Sequence, residues 1–238
     1  MRKNNDKIWR YMRFSAFVAM IENSALHFTR ADNFQDPFEG SYPLKNLKNF
    51  HKIINPKLTY EAWKKYAAFS CWHKSEHESE AMWELYVSNS DGITLQSTVG
   101  SLTDSLEGSG VSIVDVQYID FQREEIPDFV WFKPFEYKRN CFQHEQEVRA
   151  AFYQIPPSSK IVNGFPELTP PDGKGCIPEE GIDQEIDLSK LIQRVVLSPR
   201  SKNWFNKLIE STLRKNNQAN IPVEKSELSR DPVYPDLF

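Results

Sequence analysis

The densest group of reactive side chains in the sequence is Cys141-Phe142-Gln143-His144-Glu145-Gln146-Glu147-Val148-Arg149. If this segment enters a strand, its period of two sets Glu145, Glu147 and Arg149 on one face. Carboxylates held that close push one another's pKa apart, so that one stays ionised while the other exchanges a proton. That division of labour suits cleavage of a glycosidic bond, where positive charge develops on the sugar. The same spacing also describes an ordinary strand face on which Glu147 pairs with Arg149 or Arg139.

Other groupings point elsewhere. His73 and His77 stand four apart beside Glu76, Glu78 and Glu80, and with His144 they would make a zinc site or a metal-dependent phosphodiesterase or nuclease. Against this, no HExxH pattern exists and His73 precedes the helix start expected at Ser75, so no metal is expected. Cys71 sits in an apolar stretch and Cys141 has no base placed beside it, which leaves neither as a nucleophile. Lys190, Arg194, Arg200, Lys202, Lys207, Arg214 and Lys215 crowd residues 189–216 with Glu210, either to meet an anionic partner or as the wet face of a helix. Neither a GxxxxGK[ST] nor a GxGxxG loop is present, so P-loop and Rossmann chemistry lack support.

The elements that must position these residues follow from periodicity and punctuation. Ile8-Trp9-Arg10-Tyr11 reads as a strand; Phe14, Phe17, Val18 and Ile21 then repeat at helical spacing until Asn23-Ser24. Leu26-His27-Phe28-Thr29 is a second strand, and the segment RADNFQDPFEG (30–40) is loop-like, with Asp36-Pro37 forcing a turn. Residues 44–66 look mostly helical. Residues 67–72 form a buried strand, and Ser75 with Glu78 makes a capping-box pair that predicts a helix from about residue 75. Residues 92–97, 111–119 and 147–153 read as strands, 132–140 is ambiguous, 191–197 is a last strand, and 201–216 an amphipathic helix. The Pro- and Gly-rich stretch 154–187 is long for an internal connection and reads as a surface loop or lid.

A chain of 238 residues that is 39% hydrophobic and 13% aromatic buries a substantial core, which excludes disordered and low-complexity readings. The nearly apolar run at 14–21 falls short of the roughly 20 residues that cross a bilayer, so neither membrane nor signal segment is expected. Three cysteines without CxxC spacing suggest no disulfide framework and a cytoplasmic home. A net charge of −4 argues against strong non-specific binding to a phosphate backbone. With no internal repeat, one domain over 1–238 is expected, ending in a tail at 229–238.

Read together, IWRYM (8–12), LHFTRADNFQDPFEG (26–40), FSCWH (69–73), AMWELY (81–86) and KRNCFQHEQEVRA (138–150) resemble a prokaryotic domain-of-unknown-function family over residues 8–228. That resemblance implies a link to phage-defence, abortive-infection and toxin-like proteins, with a possible antitoxin or defence-system partner. The block order also resembles ADP-ribosyltransferases, which carry an Arg or His on a first strand, a Ser or Tyr on a middle strand and a late Glu. Here these would be Arg10, Ser70 and Glu147, and Glu145-Gln146-Glu147-Val148 fits the ExE pair of the arginine-triad branch. Ser70-Cys71-Trp72 departs from the usual Ser-Thr-Ser, and Phe28-Thr29-Arg30 competes for the middle strand, setting Thr29 and Arg30 beside the cofactor.

What this resemblance implies is an α+β fold, a single domain with a split, mostly antiparallel sheet and flanking helices, using NAD. Glu147 would face the developing oxocarbenium ion, Ser70 would brace it, and Glu145 would take the proton of the acceptor. Arg10 would hold a dinucleotide phosphate, with Tyr11 or Trp72 stacking on a ring. The acceptor, whether protein, nucleic acid, small molecule or water, stays open. The rival readings are the metal-dependent phosphodiesterase or nuclease and a non-catalytic module that binds a ligand or nucleic acid.

Overall fold

The computed structural model describes residues 3–49, 56–87, 91–127, 132–157, 161–162, 165–166 and 173–232. In chain order the elements begin β1 (Lys7–Arg13), α1 (Phe14–Asn23), β2 (Ala25–Arg30), α2 (Leu44–Asn49), α3 (Pro56–Lys64) and β3 (Ala67–Lys74). There follow α4 (Glu80–Tyr86), β4 (Gly92–Thr98), α5 (Val99–Ser105), β5 (Ser112–Asp115), β6 (Gln117–Ile119), β7 (Tyr137–Arg139) and β8 (Glu147–Tyr153). The last are β9 (Ile161–Val162), β10 (Phe165–Pro166), β11 (Ile182–Glu185), α6 (Leu188–Leu191), β12 (Arg194–Leu197), α7 (Asn203–Lys215) and β13 (Val223–Lys225). This is the expected α+β mixture with mostly antiparallel strands.

Contacts gather the chain into two interleaved units, Met1–Ala25 with Lys74–Ser105 and Glu185–Phe238, and Leu26–His73 with Leu106–Gln184. In the first unit β4 lies between β1 and β12, antiparallel to both, and β13 runs parallel to β12. Its helices bury one stripe each. In α7, Phe205, Ile209, Thr212 and Leu213 recur at helical spacing and are covered, whereas Trp204 and Leu208 are exposed. Trp9, Tyr11, Met82, Trp83, Val87 and Val196 form an apolar cluster. Gly92 is required there, because a Cβ would stand 2.1 Å from the Val87 side chain.

In the second unit β8 pairs antiparallel with both β3 and β5, and β3 also pairs antiparallel with β2. β6 and β7 form a short parallel pair. Ala31, Ala67, Phe69, Phe135 and Ala151 make one core cluster, while Tyr42, Tyr60, Ile119, Phe121, Ile126 and Tyr137 make another. The small alanines leave room for the rings, and Phe69 and Phe135 meet at 5.2 Å.

Several boundaries differ from the sequence expectations for identifiable reasons. The helix after β3 starts at Glu80 with Ser79 as its cap, not near Ser75. Ser75 spends its hydroxyl on the His77 N–H, a local turn, and its own N–H donates to the Lys7 carbonyl. The helical stretch expected at 44–66 contains α2 and α3, the latter opened by Pro56, whose missing N–H is harmless in a first turn; residues 50–55 lie outside the described part. The last strand begins at Arg194 because Asp187 caps a turn of helix, α6, just before it. Residues 158–160, 163–164 and 167–172 of the loop expected at 154–187 also lie outside the described residues, and its described part contains β9, β10 and β11. Its described end is fastened within the second unit, where Arg30 donates to the Ile177 carbonyl, Asn33 to that of Glu179 and Tyr66 to that of Lys174.

Candidate active site

Five charged side chains converge in the second unit, all of them buried: Glu39, Lys138, Glu145, Glu147 and Arg149. Glu147 and Arg149 come from β8, two residues apart and therefore on one face, where Arg149 Nε donates to Glu147 Oε1 at 2.7 Å. Lys138, on β7, places its ammonium 2.8 Å from Glu147 Oε2, 2.5 Å from Glu145 Oε2 and 3.1 Å from Glu39 Oε1. Arg149 also donates to Glu39 Oε2 and to the Phe135 carbonyl, both at 2.8 Å. Its guanidinium lies 5.3 Å from the rings of both Phe34 and Phe69.

Glu145 reaches this group by a different route from the one its spacing suggests. β8 begins at Glu147, Glu145 closes a 3₁₀ segment (Asn140–Glu145), and Gln146 between them is left-handed at φ 40. The two carboxylates therefore share Lys138 without sharing a strand. Gln146 holds the bend by donating from its side-chain amide to the Gln143 carbonyl at 2.7 Å. Glu39 arrives from the 30–40 loop, where Gly40 follows at φ +72 in a place where a Cβ would meet Phe135 at 2.3 Å.

Electrostatics divide the carboxylates. Burial alone pushes the Glu147 carboxyl up, but Arg149 and Lys138 beside it overcome that and hold it at about 2. Glu145 moves the other way: burial raises it and Lys138 only partly offsets the rise. Three carboxylates face two cations, and the ionised form of Glu145 is less supported than that of Glu147. Burial works against the charge on Lys138, yet Glu147 and Glu39 more than restore it and the ammonium is held above its ordinary value. Burial lowers His73, whose Nδ1 contacts the Glu145 carbonyl at 2.6 Å. Burial, reinforced by Glu147, pushes the Cys71 thiol up, which fits an inert sulfur better than a nucleophile.

Of the remaining expected site residues, Ser70, Trp72, Thr29 and Arg30 belong to the same unit and have other surroundings. Directly opposed residues of paired strands share a face, and Ser70 stands opposite Ala150, whereas His73 stands opposite Glu147 and Cys71 opposite Arg149. Ser70 therefore projects from the other face of β3 and β8, and its hydroxyl accepts from Trp72 Nε1 at 3.2 Å. The bracing of Glu147 expected from Ser70 falls to Arg149 and Lys138. Trp72 is 1% exposed and offers no open ring for stacking. Arg30 pairs with Asp32 through two hydrogen bonds, and Thr29 is half-buried opposite Phe69. In the first unit Arg10 is half-buried on β1 opposite Leu95. Tyr11 packs edge-on against Trp83 at 5.0 Å and accepts from the Ser79 N–H, so its phenol serves the start of α4 instead of a ring stack.

Sequence reasoning missed Glu39 and Lys138. The available signal was weak: an acidic residue before a glycine in the 30–40 loop, and a basic pair, Lys138-Arg139, ahead of the two glutamates. Among the described residues no group of three or more His, Cys, Asp or Glu is placed to hold a metal ion, and no helix is long and apolar enough to cross a membrane.

No family model matches the chain, so the resemblance to a domain-of-unknown-function family has no such match behind it, and no curated protein matches either. Among solved structures, Thermus sp. 2.9 DarT in complex with carba-NAD+ is similar over 95% of this chain and 97% of that one, at 8% identity and a TM-score of 0.42. Thermus sp. 2.9 DarT in complex with ADP-ribosylated ssDNA is similar over 96% and 98%, at the same identity and TM-score.

Proposed function

We propose that this protein is an ADP-ribosyltransferase-like enzyme that cleaves the bond between nicotinamide and ribose in NAD and passes ADP-ribose to an acceptor or to water. One observation carries the reading: Glu145 and Glu147 share the Lys138 ammonium, yet Glu147 is held well below its ordinary value and Glu145 is raised from it. As the glycosidic bond breaks, its electron pair leaves with nicotinamide and positive charge grows on the ribose. A carboxylate that stays ionised, Glu147, stabilises that charge. Glu145, with its raised pKa, accepts the proton released when the acceptor oxygen or nitrogen bonds to the ribose carbon. The choice of NAD rests on the resemblance of Glu145-Gln146-Glu147-Val148 to the ExE pair.

A second reading has its own observation. Both oxygens of Glu147 are occupied by Arg149 and Lys138, as expected for a structural ion network in a module that cleaves nothing. Nicotinamide release from NAD by the full chain separates the two. The enzyme reading expects turnover in the wild type, a fall of about a hundred- to a thousandfold in Glu147→Gln, and a smaller fall in Glu145→Gln that is greatest for transfer to an acceptor. Both variants are compared at equal folded fraction by circular dichroism. Wild-type protein without turnover, or a folded Glu147→Gln with full turnover, gives first place to the structural reading.

A further inference from the structure

The exposed face of α7 carries features that neither the fold nor the charged cluster uses. Trp204 is 53% exposed, with one ring edge against Phe205 at 5.7 Å, and Leu208, one turn on, is 37% exposed, so both leave apolar surface open beside each other. Lys207, Ser211 and Lys215 lie three, seven and eleven residues after Trp204, which sets them on the same side of the helix, with Arg214 at its border. The single acidic residue of the helix, Glu210, falls six residues after Trp204 and so lies round from that side. Among the described residues Lys207, Arg214 and Lys215 make no ion pair, whereas Arg200, ahead of the helix, is taken by Glu84 at 2.5 Å. A net charge of −4 makes this stripe of cations a local exception.

We infer that this face of α7 docks an acidic amphipathic helix of a partner protein. The apolar pair one turn apart matches the spacing at which a partner helix presents its own apolar residues, and a partly exposed Trp is the residue type that most often anchors such contacts. The cations around the pair then meet acidic residues on the partner's flanks and set its orientation. A nucleic acid fits less well. Three cations neutralise few phosphates, and Leu208 at the centre of the stripe has no base edge or phosphate to serve.

The probe is a designed peptide of about five helical turns, with leucines along one face and glutamates along the other, measured against the full chain by fluorescence anisotropy. Its scrambled counterpart has the same composition. The patterned peptide is expected to bind at least about tenfold more tightly than the scrambled one, and Trp204→Ala to weaken it by about thirtyfold. Lys207→Gln with Arg214→Gln is expected to reduce the salt dependence of binding between about 50 and about 300 mM. These positions are exposed, so melting temperatures should stay within a degree or two of wild type, and NAD turnover has no part in the readout. Equal binding of patterned and scrambled peptides overturns the inference. So does tighter binding of an oligothymidylate or of anionic vesicles, or a self-association in sedimentation that Trp204→Ala dissolves.

Discussion

Arg149 and Arg194 each rise from a strand to meet a glutamate, but they do so under opposite conditions. On β8, Arg149 is wholly buried, and Glu147, Glu39 and the Phe135 carbonyl receive its hydrogen bonds. On β12, Arg194 is 30% exposed, pairs with the 45% exposed Glu224, also donates to Gln96, and lies over the Trp9 ring. Water can replace the partners of Arg194 at little cost, whereas none is at hand for Arg149. A buried pair is therefore not a large gain over an apolar one, but breaking it leaves an uncompensated charge. The surface pair has no such asymmetry and is screened by salt. The buried network is thus the place where a single substitution is most damaging and where titration is most displaced from ordinary values.

The largest expected effect follows directly. Arg149→Met strands Glu147 and Glu39 against Lys138 alone and should cost about 3–5 kcal/mol, read as a denaturation midpoint in urea. Adding Glu147→Gln to that variant should recover part of the loss, because the charge left without a partner is then removed. Additive losses from the two changes would mean that the buried pair behaves no differently from the exposed one.

Acid should distinguish the regions next. The folded-state pKa of Glu147 lies below its ordinary value of 4.5, at about 2, so its contribution is complete above pH 4.5 and is lost as pH falls towards 2. That shift corresponds to about 3 kcal/mol. Glu145 has the opposite sign: its raised pKa means that the fold favours its proton, so ionisation near neutral pH works against stability. Glu145→Gln should therefore cost less at pH 7 than Glu147→Gln, and the acid slope should survive in the first variant and be much reduced in the second, where the lowered Asp187 remains. An acid slope unchanged in Glu147→Gln would assign it to another carboxylate. The smallest effect belongs to the first unit, where Arg194→Ala should change stability by no more than about 1 kcal/mol and by less in high salt. A loss as large as that at Arg149 would erase the contrast between the two strands.

The sequence is most legible where structure depends on neighbours a few residues away. The helix at α7 and the strands β1, β2, β3, β4 and β8 follow from apolar spacing, since burying one face of an element imposes that element's period on the residue types. The helix start at Ser79 escaped the same reading because the Tyr11 hydroxyl accepts the Ser79 N–H, and Tyr11 is 68 residues away. Glu145 and Glu147 stood out as a pair, and they do meet at one cation. Their meeting nonetheless depends on a left-handed Gln146, which no strand pattern announces.

The amino-acid sequence by itself determined the mixed secondary structure, the low net charge and the segment that carries the two carboxylates, because these depend on composition and short-range spacing. Tertiary structure alone decided that Ser70 faces away from Glu147 and that Trp72 is closed to a ligand, since both follow from the register of β3 against β8. It alone brought Glu39 to Arg149 across 110 residues of chain. Coulomb energies depend on distance and burial in three dimensions. A glutamate in a loop and an arginine in a strand carry no mark in the sequence that they will share a hydrogen bond away from water.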